Sequence, residues 1–406
     1  MRAFPVGAGI AATAFGMAQP CLAQTAPPER DIVLTTGVGV WAESNVARSD
    51  EEIARLRGLR LSDVRVSPSV AVDAALPFGR QYLLVNGSVA YDFYARNSQL
   101  NRERIGINST LGLNASRCEL LVNGSYTRRR SDLGDLLFVD PIGSASVAVR
   151  NTEEIKSIGA DASCGAVVGL RPMVGVRQTW ADNSTAFRQF SDFRTTTVTA
   201  GLGYRQPSIG EVSVFATQSW TDYDNRPLPG GENDGTQVRS YGVRYQRAIG
   251  TRLSGLVEVA YTDVSPDNPL ARDFGGVTWR GELTGDVTSR LRLVGAVSRS
   301  VESSNLVASS YFISKVYSLD ASYALTDRVT LGGYVSRRER QYEGTTFLLG
   351  PPTVQESLTS FGASATFRQS DRLSFVLDAQ HEQRDAGINF LDYEADRVGL
   401  TARLTW

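Results

Sequence analysis

Val398-Gly399-Leu400-Thr401-Ala402-Arg403-Leu404-Thr405-Trp406 sets apolar residues at every second position and ends on an aromatic ring. Alternation of this kind is a strand with one apolar and one polar face. A terminal amphipathic strand closed by an aromatic is the expected ending of a chain inserted into the bacterial outer membrane. Leu404 and Trp406 are then its assembly signal, read by the barrel assembly machinery. The opposite terminus agrees. Arg2 precedes a small-residue apolar stretch from Phe4 to Met17, followed by Cys21-Leu22-Ala23, a site of the kind a signal peptidase cuts. The reading expects residues 1–23 to be a cleaved signal peptide, 24–30 a short N-terminal segment and 31–406 a transmembrane barrel. Ala18-Gln19-Pro20 before Cys21 lacks the residues of a lipoprotein box, so no lipid anchor is expected.

Composition fits a barrel better than a helical membrane protein. No apolar run after the signal reaches the roughly 18 to 20 residues that a membrane helix needs. The hydrophobic fraction of 42% and mean hydropathy of −0.18 would ordinarily describe a soluble protein. A barrel escapes that inference because half of each strand faces water. Acidic and basic residues balance at 43 against 42, which gives no polybasic surface for nucleic acid. Lys156 and Lys315 are the only lysines; the other basic residues are arginines. One histidine and three cysteines leave little from which to build a metal site, and no cofactor is expected.

From Asp31 onward, strand-like segments alternate with two kinds of connection. Short clusters of Gly, Pro, Asn, Asp and Ser recur from Leu76-Pro77-Phe78-Gly79 to Gln369-Ser370-Asp371-Arg372 at intervals of about 40 residues. Longer polar stretches lie between them, at 45–60, 132–151, 183–192, 225–235, 265–272, 303–310, 343–353 and 386–390. Bacterial barrels have an even number of strands, short periplasmic turns and long external loops. The pattern predicts an all-β, antiparallel transmembrane barrel of about 18 strands. Leu373, Phe375, Leu377 and Ala379 alternate with Ser374, Val376, Asp378 and Gln380, and other segments repeat the scheme. A β-propeller also repeats at about 40 residues, but it would divide each period into four short strands.

Turns of the form Thr326-Asp327-Arg328 and Ser370-Asp371-Arg372, each launching an alternating strand, stand with Asp31-Ile32-Val33-Leu34 and the terminal Trp406. On these features the chain resembles the putative β-barrel porin 2 family of proteobacterial outer membranes. The resemblance implies a channel and, because such proteins are often found among exopolysaccharide production genes, a conduit for polysaccharide export with periplasmic partners. It supplies no functional residue to carry over.

For a pore, the residues that matter line the lumen. Alternation puts Arg65, Arg177, Arg244, Arg280, Arg292, Arg338 and Arg340 inward, with Asp73, Asp92, Glu119, Asp161, Glu258, Glu282, Asp286, Asp320 and Asp378. Both signs are represented, so no ion preference is forecast. A second class of function is a structural barrel with a packed lumen; a third is a lipid-modifying enzyme, for which His381 on the outward register is the one candidate, with no partner assigned. A non-enzyme is expected. Outer-membrane lipid and lipopolysaccharide are the expected surroundings. In the 132–151 loop, the apolar Leu136-Leu137-Phe138-Val139 suggests a constriction or a loop contact. Ser49 to Arg57 opens on a capping-box pattern and predicts a short solvated helix. Cys118 and Cys164, at the periplasmic ends of sequential strands and on their outward faces, are expected to form a disulfide.

Overall fold

The computed structural model describes residues 28–131, 133, 149–166, 168–228, 230–269, 271–304, 309–343, 353–387 and 392–406. The signal-peptide segment and the apolar patch at 136–139 therefore lie outside the described residues. Eighteen strands follow in order among those described: β1 (Asp31–Glu43), β2 (Asp63–Phe78), β3 (Gln81–Tyr94), β4 (Arg102–Ala115), β5 (Cys118–Arg130), β6 (Thr152–Cys164), β7 (Gly169–Asn183), β8 (Phe193–Gln206) and β9 (Gly210–Pro227). The second half comprises β10 (Asn233–Ile249), β11 (Leu253–Pro266), β12 (Phe274–Asp286), β13 (Leu291–Ser303), β14 (Tyr311–Ala324), β15 (Val329–Glu343), β16 (Thr353–Arg368), β17 (Leu373–Asp385) and β18 (Tyr393–Thr405). Each pairs antiparallel with its sequence neighbours, and β18 pairs back onto β1 from Thr35↔Thr405 to Glu43↔Arg397. The barrel is closed. At its seam Leu404 stands opposite Thr36, and Trp406 exchanges backbone hydrogen bonds with Leu34.

Eight connections of two to four residues gather at one end and nine longer ones at the other. Gly79 and Gly250, both at positive φ, make two of the tight turns possible. One long connection, 95–101, escapes the sequence pattern. Its Arg96-Asn97-Ser98-Gln99 runs directly into the polar strand end Arg102-Glu103-Arg104, so no change of composition marks it.

Burial is inverted relative to a soluble sheet. On β2, Val64, Val66 and Val70 are exposed while Asp63 and Ser67 are buried; on the closing strands Leu377, Val398 and Leu400 are each more than half exposed. The outer wall is thus an apolar band for hydrocarbon. Towards the long-loop end that band stops at charges. Arg128 on the outer face bridges Glu103 at 2.9 Å and Glu154 at 2.7 Å, and Lys156 reaches Asp182 at 3.2 Å. Lys315 stands on the same outer face, opposed by Arg299 and Glu339. Both lysines therefore lie at the headgroup level: the outward rings of Trp279 and Tyr317, 6.4 Å apart, stand near Lys315, and Tyr126 and Trp180 are opposed to Lys156.

A short helix, α1 (Glu51–Leu56), forms in the β1–β2 connection. Its N-cap is Asp50, whose side chain accepts from the Ile53 N–H at 2.8 Å, one residue later than the capping-box pattern at Ser49 predicts. The helix is also not merely solvated. Ala54 is buried with Val46, Leu59, Tyr94, Leu100, Leu133 and Val149, so this connection folds onto the end of β3 instead of standing out in water.

Cys118 and Cys164 are directly opposed on β5 and β6, with Cα atoms 4.0 Å apart and their sulfurs bonded. They close a span of 46 residues at the short-turn end, for which chain entropy gives about 4 kcal/mol as an upper value. Cys118→Ala with Cys164→Ala should lower unfolding stability by about 2–4 kcal/mol, and mass spectrometry of alkylated, non-reduced protein should find no free thiol in the parent chain. A second test concerns the faces. Leu377→Arg, at mid-strand on the outer wall, should cost about 2–4 kcal/mol in vesicle-based unfolding. Val376→Arg, on the inner wall, should cost much less; equal costs would mean the faces are misassigned.

Candidate lumen and its mouth

The register fixes the inner wall. Arg65, Asp73, Arg177, Arg244, Glu258, Arg280, Glu282, Arg292, Asp320, Arg338 and Asp378 all fall on the face opposite the exposed apolar residues of their strands. They are not equivalent. Arg65 bridges Glu43 at 3.0 Å and Asp92 at 3.4 Å, while Arg104 reaches the same Asp92 at 3.1 Å. Arg244 pairs with Glu258 at 2.6 Å, Arg280 with Glu282 at 3.2 Å and Arg292 with Asp286 at 3.7 Å. Asp73 accepts from Asn86 at 2.6 Å. Arg177, Arg338 and Asp320 have no ion-pair partner among the described residues, so their charges are the ones a passing ion would meet.

Several important inner residues carry no charge pattern that marks them. Trp41 donates its indole N–H to Asp378 at 3.1 Å, and the Arg65 guanidinium lies 4.7 Å from the ring centre. A Cβ at Gly39 or Gly399 would lie 1.9 Å from this ring; the two glycines let the indole lie flat on the wall. Trp41 was legible in principle, because it breaks the Val38, Val40, Ala42 outward alternation. Phe215 lies over Gly242 in the same manner.

On the long-loop side of the Arg244–Glu258 and Arg280–Glu282 pairs, the inner wall of β8 to β12 is crossed by a row of hydroxyls. Thr199, Thr217, Ser240 and Thr262 are opposed in turn across β8 to β11, and Thr278 on β12 lies diagonal to Thr262. Thr199 and Thr217 share a hydrogen bond of 3.1 Å, Ser240 and Thr262 one of 2.9 Å, and Thr262 and Thr278 one of 2.8 Å. Thr195–Thr221 and Thr197–Ser219 add further hydroxyl pairs at 2.8 and 2.9 Å. Phe215, with Arg244 5.3 Å from its ring centre, borders this surface. Each hydroxyl keeps acceptor capacity after pairing.

At the long-loop end the wall does not stay a cylinder. The β12–β13 ladder ends at Trp279↔Arg299, although β12 begins at Phe274 and β13 runs to Ser303. Above that point β13 remains paired with β14 up to Ser303↔Tyr311, and β14 with β15 up to Tyr311↔Glu343. Val301, Tyr311 and Ile313 lie on the outward register of this flap, yet they pack on Val238, Val264 and Phe274 from the inner wall. The flap is therefore folded into the mouth. Its other face carries Phe312, its ring centre 5.3 Å from that of Tyr342 and tilted to it, beside a buried cluster in which Glu356 binds Arg340 at 3.1 Å and Arg384. Near the flap, Asp267 lies outside the strands. Burial, and then its carboxylate neighbours Asp234, Asp222 and Glu232, hold it above the ordinary aspartate range.

On the outer wall, His381 faces Asp396 with 2.8 Å between Nδ1 and Oδ1, while its opposed residue on the other strand is Phe361. Among the described residues no group of His, Cys, Asp and Glu is arranged to hold a metal ion.

A family model described as putative beta-barrel porin 2 matches residues 44–406. No curated protein matches the chain. Among solved structures, OpdK of Pseudomonas aeruginosa with vanillate is similar at 12% identity and a TM-score of 0.46, over 93% of this chain and 99% of that one. OccK2 (OpdF) of the same organism in complex with glucuronate is similar at 11% identity and a TM-score of 0.47, over 93% and 98%. A BenF-like porin from Pseudomonas fluorescens Pf-5 is similar at 11% identity and a TM-score of 0.47, over 94% and 100%.

Charge at the unpaired inner positions should set ion preference. Arg177→Glu with Arg338→Glu should shift the reversal potential in a salt gradient towards cation selectivity. An unchanged potential would mean that the ion path avoids both residues.

Proposed function

The chain belongs to the putative beta-barrel porin 2 family and is a porin-like channel of the outer membrane, and from that premise we propose that its lumen passes hydroxyl-rich solutes of the carbohydrate class. The observation that carries this reading is the uncharged row Thr199, Thr217, Ser240, Thr262 and Thr278, with the ring of Phe215 beside it. Hydroxyls exchange hydrogen bonds with a sugar at little cost, and an aromatic face covers the apolar side of a pyranose ring. The more specific form of the proposal is a conduit for a secreted polysaccharide, served by periplasmic export proteins at the short-turn end. Leu404 and Trp406, on the closing seam, would then direct assembly by the outer-membrane machinery, in contact with lipid and lipopolysaccharide.

A barrel with a packed lumen is the second reading, favoured by the flap folded into the mouth. A lipid-modifying enzyme finds less support: His381 has an acid partner in Asp396, but Phe361 occupies the opposed position where a nucleophile would help.

Planar-bilayer recording separates these readings. The carbohydrate channel should conduct in simple salt and show current block on adding neutral oligosaccharides, and Thr217→Val with Thr262→Val should weaken that block. Conductance indifferent to every sugar would sink the carbohydrate reading. No conductance under any condition would favour the packed barrel.

A further inference from the structure

The flap is fastened at a place that has no role in closing the barrel. Arg226, at the upper end of β9, is almost fully buried, with its side chain 5% exposed. Its Nη1 lies 3.4 Å from Asp234 Oδ2 and donates to the Ser309 carbonyl at 3.3 Å; Nη2 donates to the Ser304 carbonyl at 3.2 Å and Nε to the Phe190 carbonyl at 3.2 Å. Ser304 and Ser309 border the tip of the β13–β14 flap, while Arg226 and Asp234 flank the β9–β10 connection, on strands the flap does not pair with. The guanidinium also rests 3.7 Å from the centre of the Tyr223 ring, whose hydroxyl donates to the same Ser304 carbonyl at 2.6 Å. Lower down, Ser303 Oγ meets Thr221 Oγ1 at 3.1 Å.

The inner-wall residues beneath this contact are sealed. Thr221, Tyr223, Thr236 and Val264 would face the lumen of an open cylinder, yet all are 2% exposed or less. A buried guanidinium is tolerated only when its donors are occupied. Four carbonyl or carboxylate contacts achieve that here, and two of them come from the flap. The flap's other ties on this side are side-chain contacts: the packing of Val301, Tyr311 and Ile313 on Val238, Val264 and Phe274, and the Tyr311 hydroxyl, which donates to the Arg272 carbonyl at 3.0 Å. The flap's β12 edge is free above Trp279↔Arg299, so no strand ladder ties it to the wall there.

We propose that Arg226 is the positioning residue that sets the aperture of the outer mouth, by latching the β13–β14 flap across the inner wall of β9–β12. Releasing the latch lets the flap swing about the point where β13 leaves β12, and the mouth widens. The proposal rests on the channel reading for its functional meaning, but the position of the flap can be measured without any current.

Three measurements on the full chain in bilayers or detergent test it. Arg226→Gln with Asp234→Asn removes the latch without stranding a buried carboxylate, and should raise single-channel conductance severalfold. In that latch-free background, Thr221→Cys with Ser303→Cys should form a staple on oxidation that brings conductance back to the parent level, and reduction should raise it again, a change the parent chain does not show. Thr236→Cys, placed under the flap opposite the Ser310 carbonyl, should react with a bulky maleimide far faster in the latch-free background than with the latch intact. Unchanged conductance in the latch variant, together with equal currents for the stapled and reduced forms, would overturn the proposal. If neither parent nor variant conducts, the channel reading fails, and the labelling rates alone decide the latch: equal rates overturn it.

Discussion

In hydrocarbon a backbone N–H or C=O without a partner costs several kcal/mol, and this chain answers that demand with a single closed ladder. Every strand pairs on both sides, and the last, β18, meets β1 over residues 35–43. All else follows from closure. Once the backbone is satisfied, side chains need only divide between two solvents, so valines and leucines face out and arginines and carboxylates face in. The inward charges are then free to pair across strands, as Arg65 does with Glu43 and Asp92. The demand also marks its own limit. β13 abandons β12 only above Arg299, at the level where Trp279, Tyr317 and Lys315 signal headgroups and water.

What could be read from the sequence divides along the same line. Period-2 alternation is a local signal, and it was enough to place Arg177, Arg280 and Asp378 on the inner wall and to set Cys118 opposite Cys164. Turn chemistry is also local, and it located the short connections. The misses are all at the long-loop end. The connection at 95–101 has no compositional edge, and the N-cap of α1 lies at Asp50 because the Asp carboxylate competes with the Ser49 hydroxyl for the same N–H groups. Arg226 left no trace: Asp224-Asn225-Arg226-Pro227 reads as an ordinary polar turn. Its flap partners, Ser304 and Ser309, lie about 80 residues away, a separation that no periodicity reports.

The lumen that results is two-sided. One arc, from β15 round to β4, is crossed by ion pairs and by the Trp41–Asp378 contact; the other, β8 to β12, carries a hydroxyl row above its own pairs Arg244–Glu258 and Arg280–Glu282. Paired charges hold a wall rigid and offer little net field, while a hydroxyl surface offers many weak, exchangeable hydrogen bonds.

The disulfide carries one more consequence. Antiparallel pairing tolerates slippage by two residues, because each side chain then returns to its proper face. Burial alone therefore cannot tell the correct β5–β6 pairing from a slipped one. The sulfurs can. Only the pairing that sets Cys118 directly against Cys164 brings the Cα atoms to 4.0 Å, so oxidation acts as a proofreading step for the hairpin. A periplasmic oxidant would stamp the correct alignment before the remaining strands close around it, and mispaired chains would stay marked by two free thiols.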